Sequence, residues 1–369
     1  MRMKAAVLHA YNEDMVIQDV AIADPKDREV LVRIAATGVC HSDLSASKGK
    51  SRAKLPLILG HEASGVVERV GSAVSKVRVG DRVILSWAPN CGQCFYCQKR
   101  FPTLCDVYGF AAGRGGLWDG TSRLEAQSGS IHHYSCVSSF AEYAVVPETG
   151  CLPIGEDVPF EVAALVGCAV TTGFGAVVND ARVEPGDTVG VIGVGGVGIN
   201  AIQAAALSGA EMIVAIDING DKEGVARSFG ATHFLNPNTC DVTDAIKSLN
   251  RGRGADSVIE CTGRPTAISA AYDCIRPGGI VVSVGIAGRE EMVALPASTL
   301  PNTQKRVAGS NYGGGIPERD FDRILGLYRA GKFDIDRQIG KRIALEQIND
   351  AFRWLEQGVL ARTLVCFDH

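Results

Sequence analysis

Residues 188–217 read TVGVIGVGGVGINAIQAAALSGAEMIVAID. The first five alternate β-branched residues with glycine, the pattern of a strand buried on both faces. Gly193, Gly195, Gly196 and Gly198 follow and would weaken a helix if one began there. The apolar, alanine-rich run that ends at Gly209 reads as a helix. MIVAI then reads as a second strand closed by Asp217. Gly193-Val-Gly195-Gly-Val-Gly198 thus has a strand before it, a helix after it, and an acid 19 residues beyond Gly198 at the end of the next strand. In that context the glycines let the backbone approach a pyrophosphate lying on the positive end of a helix. Asp217 can accept hydrogen bonds from ribose hydroxyls and would repel a 2′-phosphate, which favours NAD over NADP. Residues 188–210 carry no charge and pass the length test for a membrane-spanning helix. The glycines divide that run, so strand, turn and buried helix is the expectation, with no membrane partner.

Outward from this unit the alternation continues. Residues 222–230 read as a helix, 257–261 as a strand, the next run as a helix, and 279–284 as a strand. Strands and helices in turn predict a parallel, doubly wound sheet. Before it, the first ~150 residues carry short apolar runs punctuated by turn residues, at 4–8, 30–35, 65–70, 82–85 and 141–146. After residue 312 come two amphipathic helices, at 318–330 and 345–357, and a last strand at 363–367. The expected division is α/β with a β-rich domain over 1–169 and 312–369 and a dinucleotide domain over 170–311.

The chain has 369 residues, 46% hydrophobic and 21% charged, which excludes disorder and fits about two globular domains. Net charge is −4, so no basic face is forced and nucleic acid is not an expected partner. The first residues, MRMKAAVLHAYNED, show no signal-like apolar core. Twelve cysteines in such a chain are expected to be reduced, in a cytoplasmic setting, and to serve metals or catalysis where they cluster.

Cys91-x2-Cys94-x2-Cys97-x7-Cys105 is such a cluster. Four thiolates can enclose one tetrahedral Zn²⁺ at about 2.3 Å and leave no place for water, so the metal is expected to be structural and to hold a small lobe, about 90–106. Unpaired loop cysteines, disulfides or a nucleic-acid knuckle are the rivals. Lys99 and Arg100 are the only cations among the intervening residues, which disfavours the last. A second set is dispersed: Gly38-Val-Cys-His-Ser-Asp43, Gly60-His-Glu62 and Gly167-Cys-Ala-Val-Thr-Thr-Gly173. Taken singly, Cys40, His61 and Cys168 read as packed residues. Together they offer two sulfurs and a nitrogen, with a fourth position open. Their spacing does not show that they meet.

These motifs in this order resemble the zinc-dependent medium-chain alcohol dehydrogenases over essentially the whole chain. Asp119-Gly-Thr-Ser-Arg123, Thr171-Thr-Gly173 and Arg362 complete the series. Residues 106–140 place it near the branch with class I and glutathione-dependent formaldehyde (class III) enzymes. The resemblance implies a GroES-like β-barrel catalytic domain, a Rossmann domain, two Zn²⁺ per subunit and NAD. It implies that Cys40, His61 and Cys168 bind the catalytic zinc, that Asp43 orients His61, and that Glu62 can replace a ligand transiently. Ser42 would start a proton relay. Thr172 and Val197 would pack near the nicotinamide. Lys222 would neighbour the ribose beside Asp217, and His41, Arg264 and Arg362 would lie near the cofactor.

Three departures shape the expected function. Position 41 is His where class I members often carry Arg, a weaker and pH-dependent phosphate partner. Position 45 is Ser where the known relay ends in His, so the proton would leave by Ser45 and water or by His41. Ser51 and Gly109 stand where the glutathione-dependent enzymes carry an acid and an arginine. Trp87 and Phe110, with Ser135, would line a pocket for bulky or aromatic alcohols; both aromatics equally suit core packing. The expected activity is hydride transfer between a primary alcohol/aldehyde pair and NAD. A thiol-adduct formaldehyde dehydrogenase with another carrier, a zinc-free reductase, and a non-catalytic protein keeping the fold are the alternatives. A homodimer, or a tetramer, is implied. The remaining cysteines, and His132-His133, whose side chains face opposite ways in an extended segment, are expected to bind no metal.

Overall fold

The structure is a computed structural model and describes residues 1–51, 53–109, 115–127, 129–358 and 362–368. The chain forms two compact units, one of Met1–Ala169, Ile316–Leu325 and Ile335–His369, the other of Val170–Gly315 and Gly326–Asp334.

In the first unit, the strands Arg2–Leu8, Val16–Ile22, Leu124–Ala126, Gly129–His133 and Leu57–Ile58 close into a small barrel in that order. Met3, Val7, Leu8, Val20, Leu57, Ile131 and Phe140 are all buried in the hydrophobic core around it. A second sheet runs Cys151–Pro153, Arg82–Leu85, Ala63–Val70, Glu29–Gly38, Arg362–Cys366, Ile339–Ile343, with Tyr143–Pro147 also on Glu29–Gly38. The closing strand therefore returns to the start of the chain, Leu364 opposite Gly38. Lys341 and Arg342 lie on the strand Ile339–Ile343. The Lys341 ammonium sits 3.5 Å over the Trp354 ring and Arg342 pairs with Glu161 at 3.0 Å. Charged side chains that find such partners do not oppose an edge strand.

The Asp119–Arg123 motif acquires a structural meaning here. Arg123 is buried and grips Glu29 with two N–H groups, at 2.8 Å and 2.5 Å, and Asp119 at 2.8 Å. Glu29 begins the long strand of the second sheet, and Arg123 adjoins the barrel strand Leu124–Ala126, so the fork ties the two sheets together.

The second unit is a six-stranded parallel sheet in the order His233–Leu235, Met212–Ile216, Thr188–Ile192, Ala255–Glu260, Ile275–Ser283, Arg306–Gly309. Chain order reverses at Thr188–Ile192, the strand that feeds the glycine loop. Residues 188–210 divide into that strand and the helix Gly196–Leu207, as the glycines predict. The long apolar helix lies elsewhere: Phe160–Ala181 could cross a membrane by length and composition, but 83% of its apolar window is buried in the fold. Its apolar surface is already covered by protein. The helices Pro317–Arg329 and Ile348–Glu356 fall where the periodicity places them. Residues 312–315 and 326–334 belong with the second unit, against an expected boundary at 312. Phe333 packs edge-on against Phe174 at 5.8 Å, and the Gln203 amide bonds both backbone groups of Asp334.

Candidate metal centres and dinucleotide loop

Cys40 caps the short helix His41–Ser47 with extended backbone, and Asp43 lies in its first turn. The Asp43 carboxylate accepts three hydrogen bonds: from the Cys40 N–H at 3.2 Å, the Gly60 N–H at 3.0 Å and the His61 Nδ1 at 3.0 Å. One buried acid thus joins two segments that are distant in the chain. It also fixes the ring of His61, whose Nε2 lies 3.4 Å from Cys168 Sγ. Cys168 stands in a π-helical turn, Val166–Val170, a local widening that is frequent at functional sites. The ligand atoms of Cys40, His61 and Cys168 all lie within 4.8 Å of one another, and all three residues are buried.

The electrostatics suit a cation. Burial opposes a charge on His61, but the Asp43 carboxylate outweighs it and raises the imidazole pKa well above 6.5. A hydrogen bond from the Cys168 thiol holds Cys40 well below the usual thiol range, against the cost of burial. The same contact, with burial, pushes Cys168 well above it. Two soft sulfurs and an imidazole oriented by a carboxylate form a zinc donor set with one coordination position left open.

Behind the ligands, Glu62 is fully buried. It accepts from the Ala169 N–H at 2.9 Å and pairs with Arg362. Burial lifts its carboxyl to about 7 even though Arg362 opposes the shift. Gly38 allows this pair: a Cβ there would sit 2.2 Å from Glu62 Oε2. Among the described residues the buried Arg362 Nε–H has no hydrogen-bond partner.

Ser42 Oγ lies 3.8 Å from Cys40 Sγ, and His41 is exposed at the start of the same helix. Ser45 is half-buried one turn further on. Tyr134, which the sequence reading missed, donates from its hydroxyl to the Ser42 carbonyl at 3.2 Å and packs its ring edge-on to His61 at 5.7 Å. Trp87 is half-buried against the core of the second sheet, which favours the packing side of its two readings. Ser135 is half-buried with left-handed backbone, φ 50°. Phe110 lies outside the described residues.

The second cluster is local. Cys91, Cys94, Cys97 and Cys105 bring four sulfurs within 4.8 Å of one another. Backbone N–H groups of Cys91, Cys94 and Asp106 donate to Cys105, Cys91 and Cys94 Sγ, each at 3.4 Å. Such bonds stabilise thiolates. Cys94 is lowered to about 7 chiefly by a backbone N–H, whereas burial raises Cys97 to about 12. Four sulfurs with no open position fit a structural zinc. Cys136, Cys151 and Cys274 are buried single thiols, and no cysteine among the described residues is disulfide-bonded. His132 and His133 do not converge: His133 is buried with Nε2 accepting from Arg123 N–H at 3.1 Å, while His132 lies by the Gly115 carbonyl.

In the second unit the glycine loop has the shape a pyrophosphate needs. Gly193 has φ +92°, and a Cβ on Gly198 would lie 1.9 Å from the Gly193 carbonyl oxygen. A Cβ on Gly195 would meet nothing within 4 Å. That free space above the first turn of Gly196–Leu207, which also carries Val197, is a cradle for an anion. Asp217, at the end of Met212–Ile216, accepts from the Val194 N–H at 2.8 Å and the Asn219 N–H at 3.0 Å, and pairs with Lys222 at 3.0 Å. Thr172 is buried, and Arg264 is exposed at the start of the helix Pro265–Cys274.

Comparison with known proteins agrees with both units. Residues 26–156 match the alcohol dehydrogenase GroES-like domain family, and residues 196–329 match the zinc-binding dehydrogenase family. An S-(hydroxymethyl)glutathione dehydrogenase of Paracoccus denitrificans is 37% identical, covering 100% of both chains. Among solved structures, an alcohol dehydrogenase zinc-binding domain protein from Burkholderia ambifaria superposes with TM-score 0.95 at 32% identity, and the benzyl alcohol dehydrogenase of Acinetobacter calcoaceticus with TM-score 0.94 at 31% identity, each covering 100% of both chains.

Proposed function

Since the chain belongs to the zinc-dependent medium-chain alcohol dehydrogenases, and is an NAD-dependent alcohol oxidoreductase by that membership, we propose that it oxidises bulky, preferably aromatic primary alcohols and reduces the matching aldehydes. The observation that carries this reading is the Cys40–His61–Cys168 triangle braced by Asp43. Zinc there supplies Lewis acidity that makes an alcohol hydroxyl more acidic by several units, and NAD supplies the hydride acceptor. The chain's own residues do the rest. Asp43 holds the imidazole in one orientation. Ser42, next to Cys40, takes the hydroxyl proton. Ser45, three residues on and on the same helix face, passes it toward water, with exposed His41 as the other exit. In the second unit, glycines 193–198 with Asp217 and Lys222 hold the cofactor, aided by Thr172, Val197 and Arg264. Glu62, beside the triangle, can approach the metal.

Two observations support an aromatic substrate over a glutathione adduct. A benzyl alcohol dehydrogenase is among the similar structures. Ser51 is exposed and uncharged, and Gly109 backs onto the Cys105 carbonyl, where a Cβ would come within 2.7 Å. The curated relatives named as glutathione-dependent favour the second reading, a thiol-adduct formaldehyde dehydrogenase. Twelve free cysteines, six of them in the two candidate metal clusters, suit a reducing, cytoplasmic setting. The exposed edge strand Arg306–Gly309 suits pairing of two copies into a dimer, with a tetramer a further step. NADH formation at 340 nm with benzyl alcohol and with S-(hydroxymethyl)glutathione tests the substrate: a higher kcat/KM for benzyl alcohol is expected. The reverse ranking overturns it, and no turnover of any alcohol by protein holding both zincs supports a non-catalytic role.

A further inference from the structure

The parallel sheet of the second unit changes direction between Thr188–Ile192 and Ala255–Glu260. Beyond the first strand lie Met212–Ile216 and His233–Leu235, and beyond the second lie Ile275–Ser283 and Arg306–Gly309. In open α/β sheets a dinucleotide binds in the crevice outside the carboxyl ends of the two strands at such a point. The glycine loop is one lip of that crevice. The other is the turn 261–264, which leaves Glu260.

The two lips touch. The Cys261 N–H bonds the Ile192 carbonyl at 2.9 Å. A Cβ on Gly193 would lie 2.7 Å from the methyl carbon of Thr262, whereas one on Gly195 would meet nothing within 4 Å. The glycine loop therefore rests on Thr262 at Gly193 and stays open at Gly195, the side an anion needs.

Glu260 sets the shape of this turn. Its side chain is fully buried, and it is bonded by the two residues just beyond Cys261. Oε1 accepts from the Thr262 N–H at 2.6 Å, from the Thr262 hydroxyl, and from the Gly263 N–H at 3.1 Å, while Oε2 shares that last donor at 3.1 Å. Hydrogen bonds to a carboxylate are stronger than those between neutral groups. The Thr262 hydroxyl accepts in turn from the Arg264 N–H at 3.3 Å. With its hydroxyl engaged on both sides, Thr262 keeps one rotamer and turns its methyl to Gly193. Gly263 permits the turn, with φ +69° and a Cβ position only 2.6 Å from the Ile286 backbone. The neighbouring backbone bonds do not need the carboxylate, since the Val284 N–H donates to the Glu260 carbonyl at 2.8 Å.

We propose that Glu260 is a positioning residue for NAD. Through Thr262 it holds the second lip of the crevice against the glycine loop, and so sets cofactor affinity without touching cofactor or substrate. This rests on the NAD-dependent reading above and adds a residue to its cofactor site.

Fluorescence titration with NADH tests it without any alcohol, so a wrong substrate assignment does not affect the result. Glu260→Ala should raise the NADH Kd about tenfold, and the KM for NAD⁺ with it, while kcat at saturating NAD⁺ does not fall. Glu260→Gln keeps an accepting oxygen where Oε1 stands and should bind NADH within about twofold of wild type. Thr262→Ser keeps the hydroxyl and removes the methyl from Gly193, so its Kd should rise about threefold with Tm unchanged. The double variant Glu260→Ala/Thr262→Ser should bind no more weakly than Glu260→Ala, because one residue acts through the other. A wild-type Kd in Glu260→Ala whatever its Tm, an equal loss in Glu260→Gln, or additive losses in the double variant overturns the proposal. If Glu260→Ala does not fold, Thr262→Ser decides, and an unchanged Kd there overturns it. NADH binding without turnover of any alcohol counts against the substrate reading alone, whereas a wild type that does not bind NADH overturns both.

Discussion

Cys168 is the residue on which the metal triangle turns. In Cys168→Ser the second sulfur is lost, and the oxygen that replaces it is a harder, poorer zinc ligand. Zinc content should fall from about two per subunit to about one, with alcohol oxidation abolished and the Cys91–Cys105 lobe still loaded. Equal metal contents would contradict the assignment. His41 is the complementary case, a residue whose replacement should improve a property. His41→Arg puts a permanent, bidentate cation where an imidazole stands, so the NAD⁺ Kd should fall several-fold and NADH release should slow. Fluorescence titration of NADH measures the first directly. If Kd is unchanged, His41 does not touch the cofactor's phosphates.

At the scale of elements, the glycine loop separates two demands that the motif merges. Gly198→Val places a side chain into the Gly193 carbonyl and should lower thermal stability, because backbone cannot yield as a side chain does. Gly195→Val meets open space and ordinary backbone, φ −113°, so Tm should be unchanged while NAD⁺ affinity falls roughly tenfold or more. Thermal melts with and without NAD⁺ distinguish the two. The fork of Arg123 on Glu29 and Asp119 makes a similar point for the first unit. Arg123→Leu strands a fully buried carboxylate and should cost about 3–5 kcal/mol in denaturant unfolding. Replacing Glu29 and Arg123 together by apolar residues should recover most of that loss.

For the whole molecule, part of the acid limb of stability follows from groups outside both candidate metal clusters. Burial, aided by the Arg123 charge, lowers His133 to about 3. The folded pKa lies below the unfolded value of about 6.5, so the unfolded chain takes up the proton first as pH falls. The stability contributed by neutral His133 is complete above about pH 6.5 and declines between there and about pH 3. Asp119, held well below the usual carboxylate range by Lys26, the Thr121 N–H and Arg123 against the cost of burial, adds a loss below about pH 4. The His133 contribution should therefore fall progressively from about pH 6.5 to pH 4.5, and denaturant midpoints of His133→Phe should depend less steeply on pH than the wild type's over that range. An unchanged slope in the variant would show that other groups govern the acid limb.

The amino-acid sequence by itself determined whatever depends on near neighbours. The strand, glycine turn and helix of 188–207, the Asp217 that follows, and the four-sulfur lobe are local, because hydrogen bonding and ligand spacing act over a few residues. The order of motifs also made the family legible. Tertiary structure alone decided what requires distant segments to meet. Cys40, His61 and Cys168 became one site only when Asp43 bonded two segments at once and a π-helical turn aimed the third ligand. Tyr134 over His61, Gly38 making room for the Glu62–Arg362 pair, and residues 326–334 staying with the dinucleotide unit had no local signal. Each depends on side-chain packing across the fold, and composition and periodicity hold no record of such contacts.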